Sequence, residues 1–156
     1  MQKITPFLWF DGRAEEAANF YVSVFGDARI VSLTRYGEAG PLQKGKVMAV
    51  TFELEGQEFM ALNGGPHFTF TPAVSFFVKC GTQAEVDYFW DKLSEGGTEQ
   101  QCGWVTDKFG LSWQVIPIKL GQLLGDKDGK KAQQVMSAML WMRKIDIAAL
   151  ERAYAA

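Results

Sequence analysis

Three parts of the sequence carry side chains that could do chemistry. The only histidine, His67, lies in the segment Gly64–Phe68 and has the intrinsic pKa of a general base, although a lone loop histidine is more often a surface or hydrogen-bonded residue. Cys102 could be a nucleophile, but a reactive thiolate needs a cationic neighbour and only Lys108 is local, which favours a structural cysteine. The acidic run Asp126–Gly129 resembles the start of a calcium loop, yet its glycine comes too early, so we interpret it as a helix cap.

The elements that must position these residues are repeated. Residues 14–25 and 83–94 carry apolar side chains at the same helical spacing, and each segment follows a short apolar strand and a glycine. The two copies are separated by a constant offset of about 69 residues, which is typical of an internal duplication. The sequence therefore predicts two related units.

Each unit is predicted to have the order βαβββ, at residues 4–63 and 73–117. The first contains strands at 5–10, 28–36, 47–54 and 58–63, with a long glycine-rich loop at 37–45. The second contains strands at 73–80, 104–107 and 111–117 and a short segment at 99–102. Thr82 and Glu85 have the spacing of a capping box, and Asp107–Gly110 has the composition of a tight hairpin turn. The class is α+β.

From Lys119 onward the pattern becomes helical, so we divide the chain into paired modules at 1–118 and a helical extension at 119–156. Asp128 is expected to cap a helix over 130–143, and Asp146 a helix that begins at Ile147. The extension either packs on its own module or places an apolar surface in a dimer interface, formed by Met136, Met139, Leu140 and Trp141.

Composition excludes several classes. A chain of 156 residues with 47% hydrophobic residues can bury a core without disulfide bonds, so Cys80 and Cys102 are expected to be reduced. The net charge of -2 with scattered lysines and arginines argues against a nucleic-acid partner. No segment has the length and apolar character of a membrane span or leader, so we predict a cytoplasmic protein.

Several motifs resemble one known group of proteins. They are Trp9–Gly12 before a helix that ends in Phe20 and Tyr21, the stretch Cys102–Gln114 (CGWVTDKFGLSWQ), and the tail 144–154. The chain resembles the PhnB-like branch of the vicinal oxygen chelate superfamily, which includes glyoxalase I, bleomycin-resistance proteins and extradiol dioxygenases. The resemblance implies a curved eight-stranded mixed-sheet cup around a pocket, C-terminal helices and a homodimer.

The resemblance also implies four metal-ligand positions, on the first and fourth strands of each module. Gln114 stands where the family usually has glutamate, and its counterpart in the first module is Met60, whose thioether divalent ions do not select. The first strands contain no His, Asp, Glu or Gln, and their inward positions are expected to hold Leu8, Ser75 and Phe77. We therefore predict no metal and no other cofactor.

What is expected instead is a pocket for an organic molecule, because apolar pockets with a few polar groups are the usual small-molecule sites. Strand parity places Ser112, Gln114 and Ile116 inside and Trp113 on the helix side. The candidate ligand-binding residues are Gln114, Met60, Ser75, Phe77, Trp104 and His67.

Three functions stay open from the sequence. The first is a metal-free small-molecule binding protein, and the second is a superfamily enzyme of lyase, isomerase or oxygenase type. The third is a methyltransferase, because sequences of this branch are sometimes labelled 3-demethylubiquinone methyltransferase. It is the least supported, since the chain has no glycine-rich strand-to-helix loop for a nucleotide-like cofactor.

Overall fold

A computed structural model describes all residues, 1–156, and divides the chain into two compact units, Met1–Phe70 and Thr71–Ala156. Each unit contains a four-stranded mixed sheet and a helix that follows its first strand. The second unit carries three further helices. The α+β class and the two βαβββ modules predicted from the repeat are confirmed.

The first unit consists of β1 (Phe7–Phe10), α1 (Ala14–Val24), β2 (Ala28–Arg35), β3 (Val47–Leu54) and β4 (Gln57–Asn63). Its strand order is β1-β4-β3-β2, with β1 parallel to β4 and the other pairs antiparallel. Alternate residues of β3 and β4 are buried, as the alternation in the sequence predicts, and the apolar side of α1 is buried with them.

Asn63 joins the parts of this unit at the end of β4. Its Oδ1 accepts from the Ala14 amide at the start of α1 (2.8 Å), and its Nδ2 donates to the Val47 carbonyl (3.1 Å). The Tyr36 hydroxyl donates to the Asn63 carbonyl (2.6 Å). The buried side-chain amide of Asn63 thus ties the N-terminus of α1 to the start of β3, and its backbone carbonyl holds Tyr36, which follows β2.

The second unit consists of β5 (Ser75–Cys80), α2 (Gln83–Ser94), β6 (Thr98–Glu99), β7 (Trp104–Thr106) and β8 (Ser112–Pro117). The order is β5-β8-β7-β6, with β5 parallel to β8. The short segment predicted at 99–102 is wrong in its position, because only Thr98 and Glu99 pair with β7.

The strand ends at Glu99 because residues 102 and 103 bond to a distant part of the chain. The amides of Cys102 and Gly103 donate to the carbonyls of Met142 and Arg143 (2.8 and 2.7 Å), so they are not available to a neighbouring strand. Both residues have positive φ, +58° at Cys102 and +83° at Gly103. The chain therefore turns here and enters β7 at Trp104.

Local signals in the second unit work largely as predicted. Thr82 Oγ1 accepts from the Glu85 amide (3.1 Å), but the Glu85 carboxylate accepts from the Gly81 amide (3.5 Å), one residue earlier than in a capping box. Asp107 closes the β7–β8 turn, since its carbonyl accepts from the Gly110 amide (2.9 Å).

The C-terminal helices are α3 (Ile118–Leu124), α4 (Gly129–Met139) and α5 (Ile147–Ala155). The predicted caps are present: Asp128 accepts from two amides of α4 and Asp146 accepts from the Ala149 amide. The helices pack within the second unit around a core formed by Ile116, Leu120, Leu123, Val135, Ile145 and Leu150. No helix of the chain is both long enough and apolar enough to cross a membrane.

The predicted end of α4 at residue 143 is wrong. The helix ends at Met139, because the Trp141 and Met142 amides bond to the Ala138 and Met139 carbonyls three residues back rather than to carbonyls four residues back. Leu140 and Trp141 are consequently in the connecting turn, where they are 57% and 91% exposed.

Candidate functional site

The sheet of the second unit has two faces. Helix α2 covers one of them, and the cavity described below lies on the other. Trp113 and Val115 are buried on the α2 side, where the Trp113 ring packs against Phe76 (5.5 Å between centroids). Since side chains alternate along a strand, Gln114 and Ile116 lie on the opposite face. The register pairs Phe77 with Gln114 and Lys79 with Ile116 on that face.

A cavity of about 560 Å³ lies on this face, between the sheet and the C-terminal helices. The sheet contributes Phe77, Lys79, Trp104, Gln114 and Ile116. The helical wall is largely apolar and contains Ile118, Leu120, Gly121, Leu124 and Met139, and Cys102 and Pro117 complete the lining. This volume lies within the range of about 300–1,000 Å³ that is usual for small-molecule sites.

The polar groups of the cavity are few. The Gln114 amide nitrogen lies 3.0 Å from the Ser75 hydroxyl, which fixes the amide on the cavity side of β8. Beside it, Phe77 on β5 and Trp104 on β7 are the register partners of Gln114. Four predicted site residues, Gln114, Ser75, Phe77 and Trp104, are thus brought together by strand pairing.

The other two predicted site residues belong to the first unit. Met60 is half-buried and pairs with Phe7, which makes its place in the sheet equivalent to that of Gln114 beside Phe77. His67 is exposed in the segment after β4 and has no hydrogen-bond partner. The expectation that Leu8 points inward is wrong, because Leu8 is buried on the α1 side and Phe7 and Trp9 occupy the opposite face.

The residues at the family's four metal positions do not fit a divalent ion. The register partners of Met60 and Gln114 on the first strands are Phe7 and Phe77, so the set that the resemblance implies supplies two phenyl rings, a thioether and one amide. The chain contains no group of three or more His, Cys, Asp or Glu side chains arranged to hold a metal. Zn²⁺, Ni²⁺, Fe²⁺ and Mn²⁺ require several nitrogen, thiolate or carboxylate donors at once.

The two thiols lie in different surroundings and are both free. Burial, together with the negative charge of Glu85, raises the pKa of the Cys80 thiol to about 11. Cys102 is half-buried in the cavity lining, with its sulfur 3.7 Å from the Met139 carbonyl. Lys108 is the local cation that a reactive Cys102 thiolate would need. Its Nζ lies over the Phe109 ring, 5.6 Å from the centroid.

Sequence reasoning missed Lys79 and the helical wall of the cavity. Lys79 follows the same alternation as Ser75 and Phe77 along β5, so strand parity could have found it. The α3 residues gave no comparable signal, because their position depends on how the helix folds back over the sheet.

The two βαβββ modules are the architecture of the glyoxalase and bleomycin-resistance fold. The family model described as 3-demethylubiquinone-9 3-methyltransferase matches residues 2–116. The PhnB protein from Bacillus cereus is 45% identical to this chain, with a TM-score of 0.68, and the match covers 74% of this chain and 99% of that one. Comparison with curated proteins found no match.

Two further solved structures share the fold at lower identity. Protein PA1353 from Pseudomonas aeruginosa is 23% identical, with a TM-score of 0.63, over 75% of this chain and 98% of that one. The fosfomycin resistance protein FosX from Listeria monocytogenes, determined with Mn(II) and a sulfate ion, is 14% identical with a TM-score of 0.50, over 72% and 90%. The chain therefore belongs to the 3-demethylubiquinone-9 3-methyltransferase family, which the similarity to the PhnB protein also supports.

Proposed function

We propose that this protein binds an organic small molecule in the cavity of the second unit, without a divalent metal. The observation that carries the proposal is the cavity of about 560 Å³ with an apolar lining and one fixed amide, Gln114, among aromatic side chains. Such a combination supports recognition of an apolar body with a single polar anchor. The donor set at the family's metal positions supports the metal-free part of the proposal.

Gln114 is the polar anchor in this proposal. Its hydrogen bond to Ser75 uses the amide nitrogen, so the carbonyl oxygen is the group that can accept from a ligand N–H or O–H. Replacing one partner of such a hydrogen bond costs about 1–3 kcal/mol. Gln114→Leu should therefore weaken ligand binding by roughly 5- to 150-fold and leave the fold intact.

The experiment starts with native mass spectrometry of the purified protein, to find a molecule that is retained through purification. Its affinity is then measured for the unaltered protein, for Gln114→Leu and for Ser75→Ala, which removes only the residue that fixes the amide. An unchanged affinity in Gln114→Leu would contradict the role of this residue. Stoichiometric zinc, nickel or iron in protein purified without chelator would contradict the metal-free proposal.

The family description raises methyl transfer as a competing activity. Each sheet contains only one parallel strand pair, whereas nucleotide-like cofactors are commonly bound by parallel sheets with alternating strands and helices. A melting-temperature measurement with S-adenosylmethionine tests this activity directly, since a ligand that binds the folded state raises the midpoint. A clear rise would favour methyl transfer over the proposal made here.

A further inference from the structure

The cavity carries a single formal charge. Of the residues that line it, Lys79 is the only one with an ionisable group of either sign other than the Cys102 thiol. None of the chain's ion pairs uses Lys79; they join Arg13 to Glu16, Arg29 to Glu53, Lys44 to Glu38, Lys119 to Glu151 and Lys144 to Asp87. The cavity therefore has an ammonium group with no carboxylate beside it.

This charge stands beside apolar surface. Lys79 and Phe77 are two residues apart on the same face of β5, and Ile118 follows on α3. Phe77 is 53% exposed and Ile118 is 50% exposed, although both line the cavity. Exposed apolar side chains around a concave surface are typical of a place where an apolar molecule is bound.

The spacing of the two polar anchors limits the shape of the ligand. Gln114 pairs with Phe77, and Lys79 is two residues further along β5. At roughly 3.3 Å per residue along the strand and about 4.8 Å between neighbouring strands, the strand positions of the two anchors are about 8 Å apart. One aromatic ring or a short aliphatic chain spans that distance.

We infer that the ligand is an amphipathic organic anion, whose acidic group pairs with the Lys79 ammonium and whose apolar body lies along Phe77, Trp104 and Ile118. The inference rests on the proposed function and adds the chemical class of the ligand. A carboxylate, sulfonate or phosphate ester shares the required chemistry, because each offers charged oxygen acceptors to an ammonium donor. The chain as a whole has a net charge of -2, whereas the only formal charge in the cavity lining is positive.

The test uses two fluorescent probes that share an aromatic body and differ by one charge. Anilinonaphthalene sulfonate is anionic, and phenylnaphthylamine is its neutral counterpart. Lys79→Met removes the ammonium and keeps an unbranched apolar side chain, whereas Lys79→Arg keeps the charge. Lys119→Met is the matched control, because Lys119 lies on α3 outside the cavity lining and pairs with Glu151 at 3.9 Å.

Lys79→Met should weaken the sulfonate probe about tenfold, as expected for loss of a charge-assisted contact, and change the neutral probe less than about twofold. Lys79→Arg should restore most of the affinity, and Lys119→Met should change neither probe. If Lys79→Met affects both probes equally or neither, the inference about charge is overturned.

The proposed function has a separate outcome in the same experiment. Gly121→Leu narrows the cavity from α3 and should weaken both probes together. If it does so while Lys79→Met has no selective effect, the cavity binds small molecules and only the assigned charge is wrong. If neither probe binds, or if Gly121→Leu changes neither, the proposed function and the inference fail together.

Discussion

Gly121 allows the cavity to be narrowed without weakening the fold. It lies inside α3, lines the cavity, and has no neighbouring atom within 4 Å of the position that a Cβ would occupy. Its φ lies outside the left-handed region, so a side chain is accepted without backbone strain. Replacing a helix-interior glycine with leucine should stabilise α3 by about 0.8 kcal/mol.

The size of the effect on binding follows from the cavity volume. If each added carbon takes up about the 30 Å³ that a water molecule occupies in the liquid, the four carbons of leucine remove roughly 120 Å³. That is about a fifth of a cavity of 560 Å³. Since the cavity volume is close to that of a small-molecule site, little spare space is left for a ligand. We therefore expect the affinity for an aromatic probe to fall at least about tenfold.

Two measurements on one sample separate binding from folding. Thermal unfolding should show a midpoint raised by about 2–3 °C for Gly121→Leu, and fluorescence titration should show the loss of affinity. Gly129→Leu is the matched control, since Gly129 also has open space around it but begins α4 outside the cavity lining. Full probe affinity in a stabilised Gly121→Leu protein would refute the assignment of the cavity as the binding site.

The remaining predictions concern the thiols, the core and assembly. Iodoacetamide at pH 8 should alkylate Cys102 and spare Cys80, whose raised pKa of about 11 keeps it protonated; rapid modification of both in the folded protein would contradict this. Because the Cys80 pKa is raised above its ordinary 9.0, its contribution to stability is complete below pH 9 and lost as the pH rises through 11. Asp107→Asn should lower the free energy of unfolding, measured in urea, by about 1–3 kcal/mol. The Trp113 Nε1–H donates to the Asp107 carboxylate at 2.9 Å, and the asparagine amide would place a second donor there. A change within experimental error would argue against this contact. We also propose a homodimer that covers the 91% exposed Trp141, so Trp141→Ser should lower the mass measured by light scattering, whereas a monomer that survives concentration would count against it.

The repeat in the sequence predicted most of the fold because its signals are local. Alternation along β3 and β4, the helical stripes of α1 and α2, and the acceptors at Asp128 and Asp146 each depend on residues a few positions apart. Those elements are confirmed.

Two element boundaries, those of β6 and α4, differ from the prediction because of hydrogen bonds outside the regular ladders. The amides of Cys102 and Gly103 bond to the carbonyls of Met142 and Arg143, so β6 ends at Glu99, and the amides that follow α4 bond three residues back. Periodicity contains no information about a partner about 40 residues away.

Only part of the candidate site could be predicted from the sequence. Strand parity put Gln114, Ser75 and Phe77 on one face, because register converts sequence alternation directly into position. Leu8 was assigned to the wrong face, since in a strand of four residues the first inward position is a choice between two phases. The helical wall of the cavity depends on tertiary packing and had no pattern to reveal it.

The two walls of the cavity also differ in what they share with relatives. Its sheet residues up to Ile116 lie within the stretch that the family model matches, whereas Ile118, Leu120, Leu124 and Met139 lie beyond residue 116. The shared wall carries the amide and the ammonium together with Phe77, Trp104 and Ile116, and the other wall is apolar. Under the proposed function, both polar anchors therefore lie in the stretch that the family model matches, and one apolar wall of the cavity lies outside it. Exchanging residues 118–139 would change the shape that is accepted while leaving the polar anchors in place.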